Sequence, residues 1–165
     1  MFREMRRKAQ QLSLDICEEI LRKNTAGVLS LSGDDGYPYG VPLSFCYDKG
    51  KLIFHCAKTG HKIDSIRRCP KASFCVIDKD EIIAEEYTTY FRSVIAFGNI
   101  HIVEDGPKKR ELIDALAKKY NSNDTAEHRK EMIDREYAAV CMLEMTIEHL
   151  SGKEAIELVR MRKKQ

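Results

Sequence analysis

The sequence has no apolar run long enough to span a bilayer, so no transmembrane helix is available to it. It also has no C-x-x-C pair, which removes the usual zinc spacing. Its six cysteines (Cys17, Cys46, Cys56, Cys69, Cys75 and Cys141) lie mostly in apolar stretches and suit small core residues. An excess of one charge is missing too: 28 Lys and Arg face 26 Asp and Glu, a net charge of +2. Internal repeats and low-complexity segments are absent. The charged start is not followed by an apolar h-region, so a signal peptide is not expected, and cytoplasmic, reduced thiols are. Basic residues cluster at Arg3, Arg6, Arg7 and Lys8 and again at Arg160, Arg162, Lys163 and Lys164. Neither cluster is interleaved with aromatics. They read as solvated ends rather than nucleic-acid or membrane-surface arms. Residues 1–165 read as one domain, with 1–12 and 160–165 as loose basic tails.

What is present is strand patterning framed by a few helices. Ser13 is a candidate N-cap before Leu14, Ile16, Cys17, Ile20 and Leu21, which recur at helical spacing. Residues 26–32 read as a strand, followed by the turn Gly33-Asp34-Asp35-Gly36. Residues 37–47 alternate, with Val41, Leu43, Phe45 and Tyr47 on one face and Ser44 and Cys46 on the other. The turn Asp48-Lys49-Gly50 leads to a partner strand over 51–56, a hairpin. Ile63 and Ile66 mark a short helix stopped by Pro70. Strands follow over 72–77 and 88–103, the second bent at Gly98. Pro107 opens a helix with Leu112, Ile113, Leu116, Ala117 and Tyr120 on one face. A second helix over 124–136 begins with an Asp124-x-x-Glu127 capping pattern. Residues 138–147 form a last strand, with Glu144 turned away from Cys141, Leu143 and Met145. Tight turns favour antiparallel pairing, and the absence of strict βα alternation excludes a Rossmann-type sheet.

Two stretches carry chemistry. In Phe54-His55-Cys56-Ala57-Lys58-Thr59-Gly60-His61-Lys62, Gly60 permits a tight turn, and His61 and Lys62 fall on the first turn of a helix. Free amides and the positive end of the helix dipole meet there, with Arg67 or Arg68 further on, and a phosphate suits such a place. A simple solvated turn is the alternative. In Tyr37-Pro38-Tyr39-Gly40-Val41-Pro42-Leu43-Ser44, two prolines remove two ladder donors. Such a strand is an edge, or it runs beside an opening where its backbone could pair with a planar heterocycle. His55 is a candidate proton donor beside a ligand, or a strand histidine satisfied by the backbone. Tyr90 and Arg92 fall on the face of Val94 and are candidates to reach a second subunit. No nucleophile–base triad is recognisable, which points to chemistry carried by a cofactor.

Gly40-Val41-Pro42-Leu43-Ser44, then Phe54-His55-x-Ala57-x-x-Gly60-His61-Lys62, resembles the pyridoxamine 5′-phosphate oxidase-like flavin-binding split barrels. Within them it is similar to the Nim-type 5-nitroimidazole resistance proteins. The resemblance extends through Ser93-Val94-Ile95-x-Phe97-Gly98 and Glu148-His149-x-x-Gly152-Lys153. It implies an α+β, mainly β fold: a six-stranded antiparallel split β-barrel with flanking helices. It also implies a homodimer with FMN (or FAD) at the interface. By this resemblance Gly60, His61 and Lys62 take the phosphate and Val41, Pro42, Leu43 and Ser44 line the ring. His55, Cys56 and Ala57 then run under the ribityl chain, with His55 catalytic. The arginine-rich phosphate strand and Ser-Arg-Lys turn of true pyridoxamine-phosphate oxidases are replaced here, which argues against vitamin B6 oxidation. The implied activity is oxidoreduction, from NAD(P)H to a small organic acceptor such as a nitro compound. A non-catalytic flavin carrier or sensor is the alternative, as is a binder of haem or a deazaflavin.

Overall fold

The computed structural model describes residues 2–162. The Ser13 hydroxyl caps the first helix, α1 (Leu14–Lys23), accepting from the Ile16 amide. Cys17, Ile20 and Leu21 on its inner face are buried. Four strands follow: β1 (Ala26–Ser32), β2 (Pro38–Ser44), β3 (Cys46–Asp48) and β4 (Lys51–Ala57). Helix α2 (His61–Arg68) buries Ile63 and Ile66. Then come β5 (Lys71–Ile83), β6 (Thr88–Val103), α3 (Pro107–Tyr120), α4 (Ala126–Glu136), β7 (Val140–Glu154) and α5 (Ile156–Arg162).

All strands join one antiparallel sheet in the order β2-β1-β5-β6-β7-β4-β3. The expected six strands are therefore seven, and the hairpin expected between residues 37–47 and 51–56 is mostly not formed. Phe45 interrupts the alternating run. The part before it pairs with β1 along its whole length, and only Cys46, Tyr47 and Asp48 pair with β4. The inward alternation survives the break: Val41, Leu43 and Tyr47 pack on the interior cluster and Phe45 is fully buried within it.

The two edges of the sheet are β2 and β3, and one residue, Phe45, joins them. A sheet whose edges are consecutive in the chain must curl round on itself. It does so without closing its ladders, so the barrel is split between β2 and β4, which touch but share no ladder. Tyr120, at the end of α3, clasps this point. Its hydroxyl accepts from the Phe45 amide at 2.9 Å and donates to the Thr25 carbonyl. The interior is filled by Leu29, Phe54, Phe74, Val94, Ala96 and Leu143 among others. A second cluster outside the barrel (Ile53, Leu112, Leu116 and Met142) seats α3 on β4 and β7.

Other expectations are corrected or met. The N-cap of α4 is Thr125, whose hydroxyl accepts from the His128 amide, while Asp124 contacts the His128 ring instead. Glu144 is buried on the outer face, where Lys51 and Lys108 approach it. The bend at Gly98 is present as a register shift against β7. Part of each basic end is docked: Gln10 and Leu12 are buried, and Arg162 in α5 bonds Glu154. Residues 163–165 lie outside the described residues.

Arg92, 30% exposed, is engaged within the chain. It bridges Asp78 and Glu154, two carboxylates only 2% exposed, and Lys23 and Asn24 also bond Asp78. Burial alone would raise the Asp78 pKa. The hydrogen bonds from Lys23 and Asn24 and the charges of Lys23 and Arg92 outweigh it and hold the carboxyl below the ordinary range. A carboxyl with a depressed folded pKa stabilises the fold above its unfolded pKa of about 3.9 and loses that contribution as pH falls through the folded value. Urea unfolding at pH 6 and pH 3 should therefore show a smaller acid loss of stability in Asp78→Asn than in the wild type. Equal losses would show that Asp78 contributes nothing to acid sensitivity.

Candidate functional site

The split in the barrel gathers most of the residues singled out in the sequence. Along β2, Tyr39, Val41 and Leu43 point inward and Pro38, Gly40, Pro42 and Ser44 outward. One side of β2 is taken by β1 and the other is a free edge. Across the seam on β4, Phe54 is buried inside and Cys56 packs against the same cluster, while His55 and Ala57 are exposed outside. The seam is thus bounded by the free backbone edge of β2 and the outward side chains of β4.

The chain leaves β4 through Lys58 and Thr59 and enters α2 at Gly60, whose φ of 114° lies in the region that favours glycine. No side chain caps this helix, and a Cβ built on Gly60 meets nothing within 4 Å. The first amides of α2 therefore open onto free space beside the seam, where an anion can reach them. Lys62 is half-buried and makes no ion pair among the described residues. The other cations are committed elsewhere. His61 stacks on Tyr39 with ring centroids 4.1 Å apart and lies 3.4 Å from an Asp34 carboxylate oxygen. Arg68 contacts the same carboxylate at 3.0 Å and donates to the Ser32 carbonyl. Arg67 faces Asp64 at 3.8 Å. Of the basic residues expected at this turn, Lys62 is the one left to meet an anion directly, and Asp34 and Tyr39 set the position of His61. The sequence showed Asp34 only as a turn residue, because its partner is 27 positions away in the chain.

Cys56 is not poised for thiol chemistry. Burial pushes its pKa up to about 11, the neighbouring Cys141 adds to that, and the Lys62 charge offsets only part of it. The β2 edge of the seam carries no strand partner. A cleft of about 700 Å³ lies elsewhere, on the outer face of β6 and β7.

This architecture is that of the split barrels. A model of the pyridoxamine 5′-phosphate oxidase family matches residues 13–154, and the chain belongs to that family. No curated protein matches it in sequence. Among solved structures it is similar to a conserved hypothetical protein, Rv2991, from Mycobacterium tuberculosis (TM-score 0.79, 19% identity, 92% of this chain and 90% of that one). It is also similar to a candidate 5-nitroimidazole antibiotic resistance protein from Bacteroides thetaiotaomicron (TM-score 0.74, 20% identity, 87% and 86% covered). An FAD-binding protein from Mesorhizobium loti matches with a TM-score of 0.65 and 26% identity, over 88% and 97% of the two chains. No described helix is long and apolar enough to cross a membrane.

Proposed function

We propose that the protein binds FMN in the seam between β2 and β4 and uses it to pass electrons from NAD(P)H to a small oxidised organic acceptor such as a nitro compound. One observation carries this reading: a free strand edge and an uncapped helix start with open amides lie at the same seam. The α2 amides and the Lys62 ammonium would hold the phosphate. The free edge of β2 at Val41, Pro42, Leu43 and Ser44 would offer backbone donors and acceptors to the ring edge. A single anion cradle suits one phosphate, which favours FMN over FAD. The flavin would supply the redox chemistry, and the chain orientation and charge. His55, exposed on the outward side of β4, would carry the proton that accompanies reduction on one of its ring nitrogens.

The groove lacks a wall, and the chain has a surface suited to a second copy. The outer sides of β1, β5 and β6 carry Val28, Cys75 and Ile95 as one cross-strand row, with Ser30, Ser73 and Phe97 as the next, and no charge interrupts either. Val28 is 39% exposed and Ile77, on the same face, 64%. A two-fold pairing would cover this face and add a wall to each seam.

Absorbance of the purified protein, with FMN added if needed, should show flavin bands, and light scattering of the same sample should give twice the chain mass. NAD(P)H should bleach the bands and a nitroaromatic restore them. His55→Ala should slow that turnover roughly 100-fold or more while the flavin stays bound. A colourless protein that takes up no FMN refutes the reading. Full turnover in His55→Ala refutes the role given to that residue.

A further inference from the structure

The turn between β1 and β2 sends a carboxylate across α2. Its shape is fixed by its own backbone: the Gly33 amide donates to the Tyr37 carbonyl at 2.9 Å, and the Tyr37 amide donates to the Asp34 carbonyl at 3.0 Å. Asp34 thereby meets both ends of the helix at once. One carboxylate oxygen lies 3.4 Å from His61 Nε2, in the first turn, and the other lies 3.0 Å from the Arg68 guanidinium, in the last. His61 and Arg68 share one face of α2, two turns and about 10 Å apart along the axis. Lys62, one position on from His61, is turned about 100° away from that face.

Helix α2 therefore offers an anion two separate places. The first is the open amides with Lys62. The second is the flank between His61 and Arg68, and there Asp34 already sits, engaging both donors and adding a negative charge of its own. The rest of the flank gives no relief. Arg67 faces Asp64 at 3.8 Å, and Arg68 also donates to the Ser32 carbonyl at 3.3 Å. The His61 ring lies on Tyr39 with planes 20° apart, which keeps the imidazole beside the carboxylate.

We infer that Asp34 sets the phosphate count of the seam ligand: it admits a flavin mononucleotide and discriminates against the dinucleotide. The single phosphate of FMN ends at the α2 amides and Lys62. The second phosphate of FAD, continuing along α2, meets Asp34, which repels it and holds both donors of that flank. Because this assignment rests on flavin binding at the seam, its test carries a second, flavin-free probe.

FMN and FAD are titrated separately into the stripped full-length protein and followed by fluorescence. The wild type should bind FMN the more tightly. Asp34→Asn, which keeps the shape of the side chain and removes its charge, should shift the ratio of the two dissociation constants about two- to fivefold toward FAD, the scale of one exposed charge contact. Asp35→Asn removes the same charge from the adjoining residue, which makes no ion pair among the described residues, and should leave the ratio unchanged. Adding Arg68→Gln to Asp34→Asn should cancel the shift, because the freed guanidinium is what the second phosphate gains. Pyrophosphate, followed by the His61 imidazole proton resonances, should bind Asp34→Asn more tightly than the wild type. A wild type that prefers FAD, or an unchanged ratio in Asp34→Asn with FMN still bound, overturns the role of Asp34 and leaves flavin binding standing. Equal pyrophosphate affinities do the same. A wild type that takes up neither flavin overturns both.

Discussion

Replacing Lys62 by alanine should weaken FMN binding about ten- to 150-fold, the equivalent of losing one charge-assisted phosphate contact worth roughly 1.5–3 kcal/mol. The expectation is specific to this lysine because its neighbours are engaged elsewhere. Asp34 holds Arg68 and lies beside His61, and Asp64 faces Arg67. No such partner draws Lys62 away from the start of α2. Lys130→Ala, on the exposed face of α4 and paired with Asp134, is the control and should leave the affinity unchanged. Fluorescence titration of free flavin into the stripped protein measures both. Equal affinities for Lys62→Ala and wild type would refute the phosphate assignment while leaving the fold untouched.

Gly98→Ala should destabilise the protein by at least about 3 kcal/mol, because an added methyl would overlap backbone rather than a movable side chain. A Cβ at Gly98 would run into the Thr146 carbonyl on β7 at the register shift between β6 and β7. Those strands form one of the longest ladders in the sheet, so relief requires separating them. For a chain of this length the loss corresponds to a fall in Tm of roughly 6–12 °C. Gly40→Ala is the comparison: its Cβ would meet only Val28 Cγ1, at 3.5 Å, and its Tm should barely move. Calorimetry of the two variants decides the matter, and equal values would show that β7 yields at the shift.

Gly98 also shows what a sequence can reveal. A glycine inside a long β-branched run announces a close backbone approach, and the capping serine and helical spacing of α1 announce that helix in the same local way. Strand partnership is not local. The alternation over residues 37–47 correctly put Val41, Leu43, Phe45 and Tyr47 on the inner side, yet it carried no signal that Phe45 would pass the chain from one sheet edge to the other. Buried polar residues were hidden for a similar reason. Gln10, Lys109, Glu144 and Glu154 look like surface residues by type, and only their distant partners permit burial. Of the site, the glycine turn and proline-bearing strand were visible because their chemistry is in the chain itself. The stacking of His61 on Tyr39 was not, since it depends on how α2 returns to β2.

The barrel is a belt with a buckle rather than a hoop. Its ends are held by Phe45 and the Tyr120 clasp, and no ladder bond crosses the gap between β2 and β4. The gap can therefore widen or narrow by small rotations about one residue without severing a single rung. A closed barrel would have to break several backbone hydrogen bonds to admit a guest of different width. Here no rung stands in the way, and a bound molecule spanning both sides would act as the pin that fixes the belt's length.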